Sequence, residues 1–140
     1  MRGDKIPDQH HIARLCNPKH ISEEQIQATA FMLRKNEKSL SVNWMEFLNC
    51  SSRGSEIIEL QNIYSRKLKA AASAIIGVLN VWEVREKVLT ESLDRRNLEI
   101  LHDPQLNDTS HSGIFNLKDD DILIAELILK IVRETYPAHQ

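Results

Sequence analysis

Apolar and polar residues change their period along this chain. In residues 40–44, Leu40, Val42 and Trp44 alternate with Ser41 and Asn43, the two-residue period of a half-buried strand. Together with the apolar residues 31–33 and the polar turn at 35–38, this predicts a hairpin over residues 28–44. Residues 51–69 switch to helical spacing. Ile57, Leu60, Tyr64 and Leu68 form one stripe, and Ser52 or Ser55 is placed to cap it. The β-branched run 75–81 predicts a central strand buried on both faces. Residues 83–97 read as a helix, with Val84, Val88 and Leu89 at helical spacing, and residues 98–101 as a strand stopped by His102-Asp103-Pro104. A polar loop over 105–113 and a short edge strand over 114–117 follow. The last helix is expected over 119–136, opened by three aspartates that suit its positive end and closed by Tyr136-Pro137. Near the start, residues 8–16 fit either a strand or a short helix capped by Asp8. As a strand they put His10, Ile12, Arg14 and Cys16 on one face.

Strands and helices in this irregular order predict an α+β fold. We expect a small mixed sheet of about four to six strands and two or three helices, including an apolar C-terminal helix. No long linker interrupts the 140 residues, so a single domain over 1–140 is expected.

The apolar content is unevenly distributed. From 122 to 132, only Glu126 and Lys130 interrupt the apolar residues, more than the stripe of a surface helix requires. Such a helix is packed on two sides or forms an interface, with Ile124 and Ile128 as the interface candidates. The first functional expectation follows from it: a non-enzymatic accessory or interaction subunit. It would form a homo-oligomer or dock on a larger protein assembly.

Charge removes one class of partner. The formal net charge is -2, whereas bulk affinity for nucleic-acid phosphates needs an excess of Lys and Arg. Arg85, Lys87, Arg95 and Arg96 could share a helix face, but interspersed acids dilute it. Two cysteines are too few for a disulfide framework, no apolar leader opens the chain, and no run reaches a membrane span. These features predict a cytoplasmic protein with no membrane partner.

Candidate chemistry lies in three segments: residues 8–16, Ser41-Val42-Asn43-Trp44, and Ser110-His111-Ser112, the last preceded by His102-Asp103. Histidine exchanges protons near neutral pH, and the planar fork of arginine matches phosphate. His10, His11 and His111 are the catalytic candidates. Arg14, Ser41, Asn43 and Ser110 are the ligand-binding candidates. The alternative function is therefore a metal-independent phosphodiesterase, ribonuclease-like or nucleotide-binding domain, with RNA or a nucleotide as partner. Neighbours on a strand face opposite sides, so His10 and His11 cannot both enter one site. No paired zinc spacing, Gly-rich phosphate loop or Gly-x-Ser-x-Gly elbow occurs, so no metal or cofactor is implied.

Taken together, His10-His11 with Arg14, Ala30-Phe31-Met32-Leu33-Arg34 with Leu40-Ser41-Val42-Asn43-Trp44, and Ser110-His111 resemble the pattern of a small uncharacterised prokaryotic family. That resemblance implies no fold, substrate or residue role; small bacterial orphan domains of this size often belong to defence or mobile-element loci, and by that association the larger assembly would be a defence-related one.

Overall fold

The computed structural model describes residues 3–139. Its strands are β1 (His11–Cys16), β2 (Ile21–Ser22), β3 (Gln25–Ile26), β4 (Leu40–Trp44), β5 (Ile75–Asn80), β6 (Glu99–His102), β7 (His111–Phe115) and β8 (Glu134–Pro137). Its α-helices are α1 (Arg53–Lys67), α2 (Val81–Glu91) and α3 (Ile122–Leu129). Six strands form one sheet in the order β6-β7-β4-β1-β5-β8, and every neighbouring pair is antiparallel. The small β2–β3 pair stands apart. The fold is α+β. No helix among the described residues is long and apolar enough to cross a membrane.

The strand alternation supplies both faces of the sheet with apolar residues. On one face, Ile12, Leu40, Val42, Leu79 and Ile114 pack with Val84 and Val88 of α2 and Ile124 and Ile128 of α3. On the other, Ala13, Ile76 and Val78 meet Ile57, Leu60, Ile63 and Tyr64 of α1. Strand β5 is buried on both faces because it feeds both layers. Helix α1 begins with a reciprocal capping box between Ser52 and Ser55, which satisfies donors left open at a helix start. Asn80 caps α2 in a similar way, accepting from the Glu83 main-chain N–H at 3.0 Å.

Three expectations are corrected. Residues 28–44 are no hairpin. Ala28–Phe31 is a 3₁₀ turn that buries Ala30 and Phe31, and both sides of β4 are taken by β1 and β7. Residues 111–115, read mostly as loop, form the interior strand β7, paired with β4 and β6. Helix α3 ends at Leu129, and residues 134–137 return as the edge strand β8 on β5. Pro137, which lacks an N–H, falls at the end of that edge strand, where it is tolerated.

The interface candidates are corrected too. Ile124 and Ile128 lie in the core, at 5% and 0% exposure. They are covered from within the chain, α3 packing on the 3₁₀ turn Ala28–Phe31 and on α2. The exposed apolar residues of α3 are Ile122 and Leu123. The basic residues of α2 and its exit are largely spent: Arg85 pairs with Asp8, Lys87 with Glu91, and Arg96 with Asp94 and Asp121.

Truncating Ile128 to Ala leaves a cavity and should cost about 2–5 kcal/mol. Leu123→Ala, at an exposed position, should stay within about 0.5 kcal/mol of the parent. Urea denaturation of both variants checks this. Equal effects would contradict the inward orientation of Ile128.

Candidate functional site

The site begins where two central strands part. β1 and β4 are registered over only two pairs, Ile12↔Trp44 and Ala13↔Asn43. Beyond them the side chain of Arg14 bridges the gap. Its Nη1 donates to the Ser41 carbonyl at 2.9 Å and its Nε to the Ala30 carbonyl at 3.0 Å. Burial lowers the Arg14 pKa from its ordinary value, yet a guanidinium that starts so basic keeps its charge. Two of its five N–H donors are thus used. Among the described residues no buried side-chain nitrogen or oxygen lacks a partner. The unbonded Nη2 of Arg14 is therefore accessible.

Asn43 and His111 are registered opposite each other on β4 and β7, on the face covered by α1. Beneath the gap lies a buried polar network. Asn43 Nδ2 donates to both Asp108 carboxylate oxygens, at 3.0 and 2.9 Å, and to Ser110 Oγ at 2.8 Å. Ser110 Oγ donates to Asp108 Oδ1 at 2.9 Å. Lys67 Nζ reaches Asp108 Oδ2 at 3.1 Å from α1. The Tyr64 hydroxyl donates to Asn43 Oδ1 at 2.9 Å. Burial pulls the Asp108 carboxyl upward, but hydrogen bonds from Asn43, Lys67 and Ser110 outweigh it and hold the group below the usual carboxylate range. Burial, then the Asp108 charge, pushes the Tyr64 phenol well above its ordinary value, so Tyr64 acts only as a neutral donor.

His111 is fixed at both ends of its ring. Nδ1 is 2.9 Å from the Asp103 carbonyl oxygen. A carbonyl oxygen only accepts, so in the neutral ring Nδ1 carries the proton and Nε2 is the acceptor. Nε2 lies 3.2 Å from Ser41 Oγ, and the Asp103 carboxylate is 3.8 Å from Nδ1. Arg14, Ser41, Asn43 and His111 line one pocket of about 340 Å³, together with Arg34, Glu37, Tyr64, Lys67 and Asp108.

Five expected residues thus meet: Arg14, Ser41, Asn43 and His111 in the pocket wall, and Ser110 in the network behind it. His10 and His11 do not line this pocket. His11 Nδ1 and its main-chain N–H both contact the Glu46 carboxylate at 2.7 Å. His10 Nδ1 accepts from Trp44 Nε1 at 2.9 Å, in an aromatic cluster that includes Phe47 and His102. A two-histidine acid–base pair is therefore corrected to a single histidine with a serine partner.

Sequence reasoning missed Asp108, Lys67, Tyr64 and Arg34. Asp108 stood in an aperiodic polar loop, and Lys67 and Tyr64 belonged to a stretch already explained as helix. Only the density of polar residues over 107–112 marked the spot. No group of three or more His, Cys, Asp or Glu side chains among the described residues could hold a metal ion.

Acid tests the network. The folded pKa of Asp108 lies below its unfolded value of about 3.9. Its contribution to stability is complete above that value, shrinks as the pH falls below it, and is lost past the folded pKa. Asp108→Asn should cost about 1–3 kcal/mol at neutral pH, and its gap from the parent should close down the acid limb. A gap that stays constant in urea midpoints across that limb would contradict the account.

No family model matches this chain, and no curated protein or solved structure matches it.

Proposed function

We propose that the pocket between β1, β4, α1 and residues 103–110 binds a small phosphate-bearing molecule. The observation that carries this reading is the convergence of Arg14, Ser41 and His111, from three different strands, on one cavity. The cavity volume of about 340 Å³ falls in the range of small-molecule sites. Charge supports an anion. Arg14, Arg34 and Lys67 face Glu37 and Asp108, leaving one formal positive charge in excess (three cations against two carboxylates). Lys67 is committed to Asp108, so the recruiting cations are Arg14 and Arg34. Arg34 is exposed at the pocket rim, and a planar guanidinium suits bidentate contact with phosphate. Ser41 adds a neutral hydrogen-bonding group that orients a ligand, while Asn43, fully engaged in the network behind the wall, holds that wall in place.

The accessory-subunit reading rested on Ile124 and Ile128. Both are consumed by the core, so the pocket reading is the one advanced.

Titration of isotope-labelled protein with inorganic phosphate and with a mononucleotide should shift the amide signals of Arg14, Ser41, Asn43 and His111 together. Arg34→Gln should weaken binding about tenfold, the equivalent of roughly 1.4 kcal/mol, and added salt should weaken it further. Shifts scattered over the surface, or none, would refute the proposal.

A further inference from the structure

The same pocket carries the parts of a covalent catalyst, an inference that rests on the phosphate-binding reading. We infer that Ser41 is a nucleophile activated by His111, and that the chain hydrolyses phosphoesters through a phosphoseryl intermediate. The parts are in hydrogen-bonding order. The Asp103 carbonyl fixes the Nδ1 proton of His111. That leaves Nε2 as the acceptor facing Ser41 Oγ at 3.2 Å, within the reach of a general base for its serine. The Asp103 carboxylate, 3.8 Å from Nδ1, stabilises the imidazolium that forms when His111 takes the proton.

Other serines nearby do not have this arrangement. Ser110 and Ser112 are buried, and their hydroxyls donate to Asp108 and to the Ser110 carbonyl. Ser41 is exposed, so its oxygen can reach a bound substrate. His111 is only 7% exposed and its ring is held on both sides, so the base is preorganised. Arg14 docks on the main-chain carbonyl of Ser41 itself. Its accessible Nη2 puts positive charge beside the residue that attacks, where charge develops on the phosphoryl oxygens.

The balanced step runs in two halves. Ser41 Oγ attacks phosphorus, its proton moves to His111 Nε2, and the bond from phosphorus to the leaving oxygen breaks. His111 passes that proton to the departing oxygen. Water then attacks the phosphoserine and gives its proton to His111. The Oγ–P bond breaks, phosphate leaves, and Ser41 recovers its proton from His111.

A fluorophosphonate probe tests this on the full chain. Intact mass should show one adduct per chain, with loss of fluoride, and peptide mapping should place it on Ser41. Ser41→Ala should abolish the adduct, with circular dichroism confirming its fold. His111→Gln should slow labelling about 100-fold, the lower end of what a general base supplies, with circular dichroism confirming its fold. Should that variant unfold, Ser41→Cys substitutes for it, and the thiol it introduces should react with iodoacetamide faster than Cys50. No adduct, an adduct on another serine, labelling indifferent to His111, or a sluggish thiol in the Ser41→Cys variant would each overturn the nucleophile. If phosphate still shifts the pocket signals without an adduct, the binding reading survives alone. If both fail, both readings fall.

Discussion

A buried carboxylate is costly unless it is fully partnered, and Asp108 meets that demand with contributions from three separate parts of the chain. Asn43 comes from a central strand, Lys67 from the last turn of α1, and Ser110 from the loop that leads into β7. These partners must be brought together for the carboxylate to stay charged. Their assembly fixes the loop against the sheet and the helix at once. The tight turn in that loop, in which Asp108 and Gln105 exchange main-chain hydrogen bonds of 3.0 and 3.1 Å, then sets where β7 starts. The Asp108 main-chain carbonyl also accepts from the His111 N–H at 3.1 Å. The position of His111 is therefore a consequence of how Asp108 is satisfied.

The second constraint is the parting of β1 and β4. An antiparallel ladder that ran on would fill the space with main-chain hydrogen bonds. Instead the Arg14 guanidinium spans the gap and accounts for the Ala30 and Ser41 carbonyls. A single side chain thereby satisfies backbone acceptors, holds the strands apart and delivers a cation to the pocket wall. The apolar layers on either face of the sheet carry the burden of stability, which leaves these polar positions free to be shaped by chemistry.

Elements whose signal is local were legible in the sequence. The alternation of Leu40, Val42 and Trp44, the α1 stripe of Ile57, Leu60 and Tyr64 with its serine cap, and the β-branched run of β5 appear where the pattern placed them, whereas Leu68, expected on that stripe, is the exposed C-cap. Elements decided by distant partners were not. Gly113 looks like loop punctuation, yet it sits mid-strand between β4 and β6, where a Cβ would lie 2.7 Å from Ser39 Oγ. β8 exists because the outer edge of β5 needs a partner, a demand absent from residues 134–137 themselves. The surplus of apolar residues near the C-terminus belongs to a short helix that buries Ile124, Ala125 and Ile128 in one layer and leaves Ile122 and Leu123 exposed, not to a long helix. In the site, Arg14, Ser41, Asn43, Ser110 and His111 were recognisable by type and clustering. What could not be read was which histidine they would meet. That choice depends on Glu46 and Trp44 holding His11 and His10 elsewhere, and on a network centred on an aspartate in an aperiodic loop.

Everything turns on the state of the His111 ring: Nδ1 carries a proton that it donates to the Asp103 carbonyl, and Nε2 is open toward Ser41 and the pocket. Long-range proton–nitrogen correlation of the His111 imidazole, recorded at mildly alkaline pH with and without phosphate, tests it most directly. The account predicts a protonated Nδ1 and an unprotonated Nε2 in the free protein, with the Nε2 signal moving when phosphate is added. A ring protonated at Nε2, or an Nε2 signal indifferent to phosphate, would contradict it.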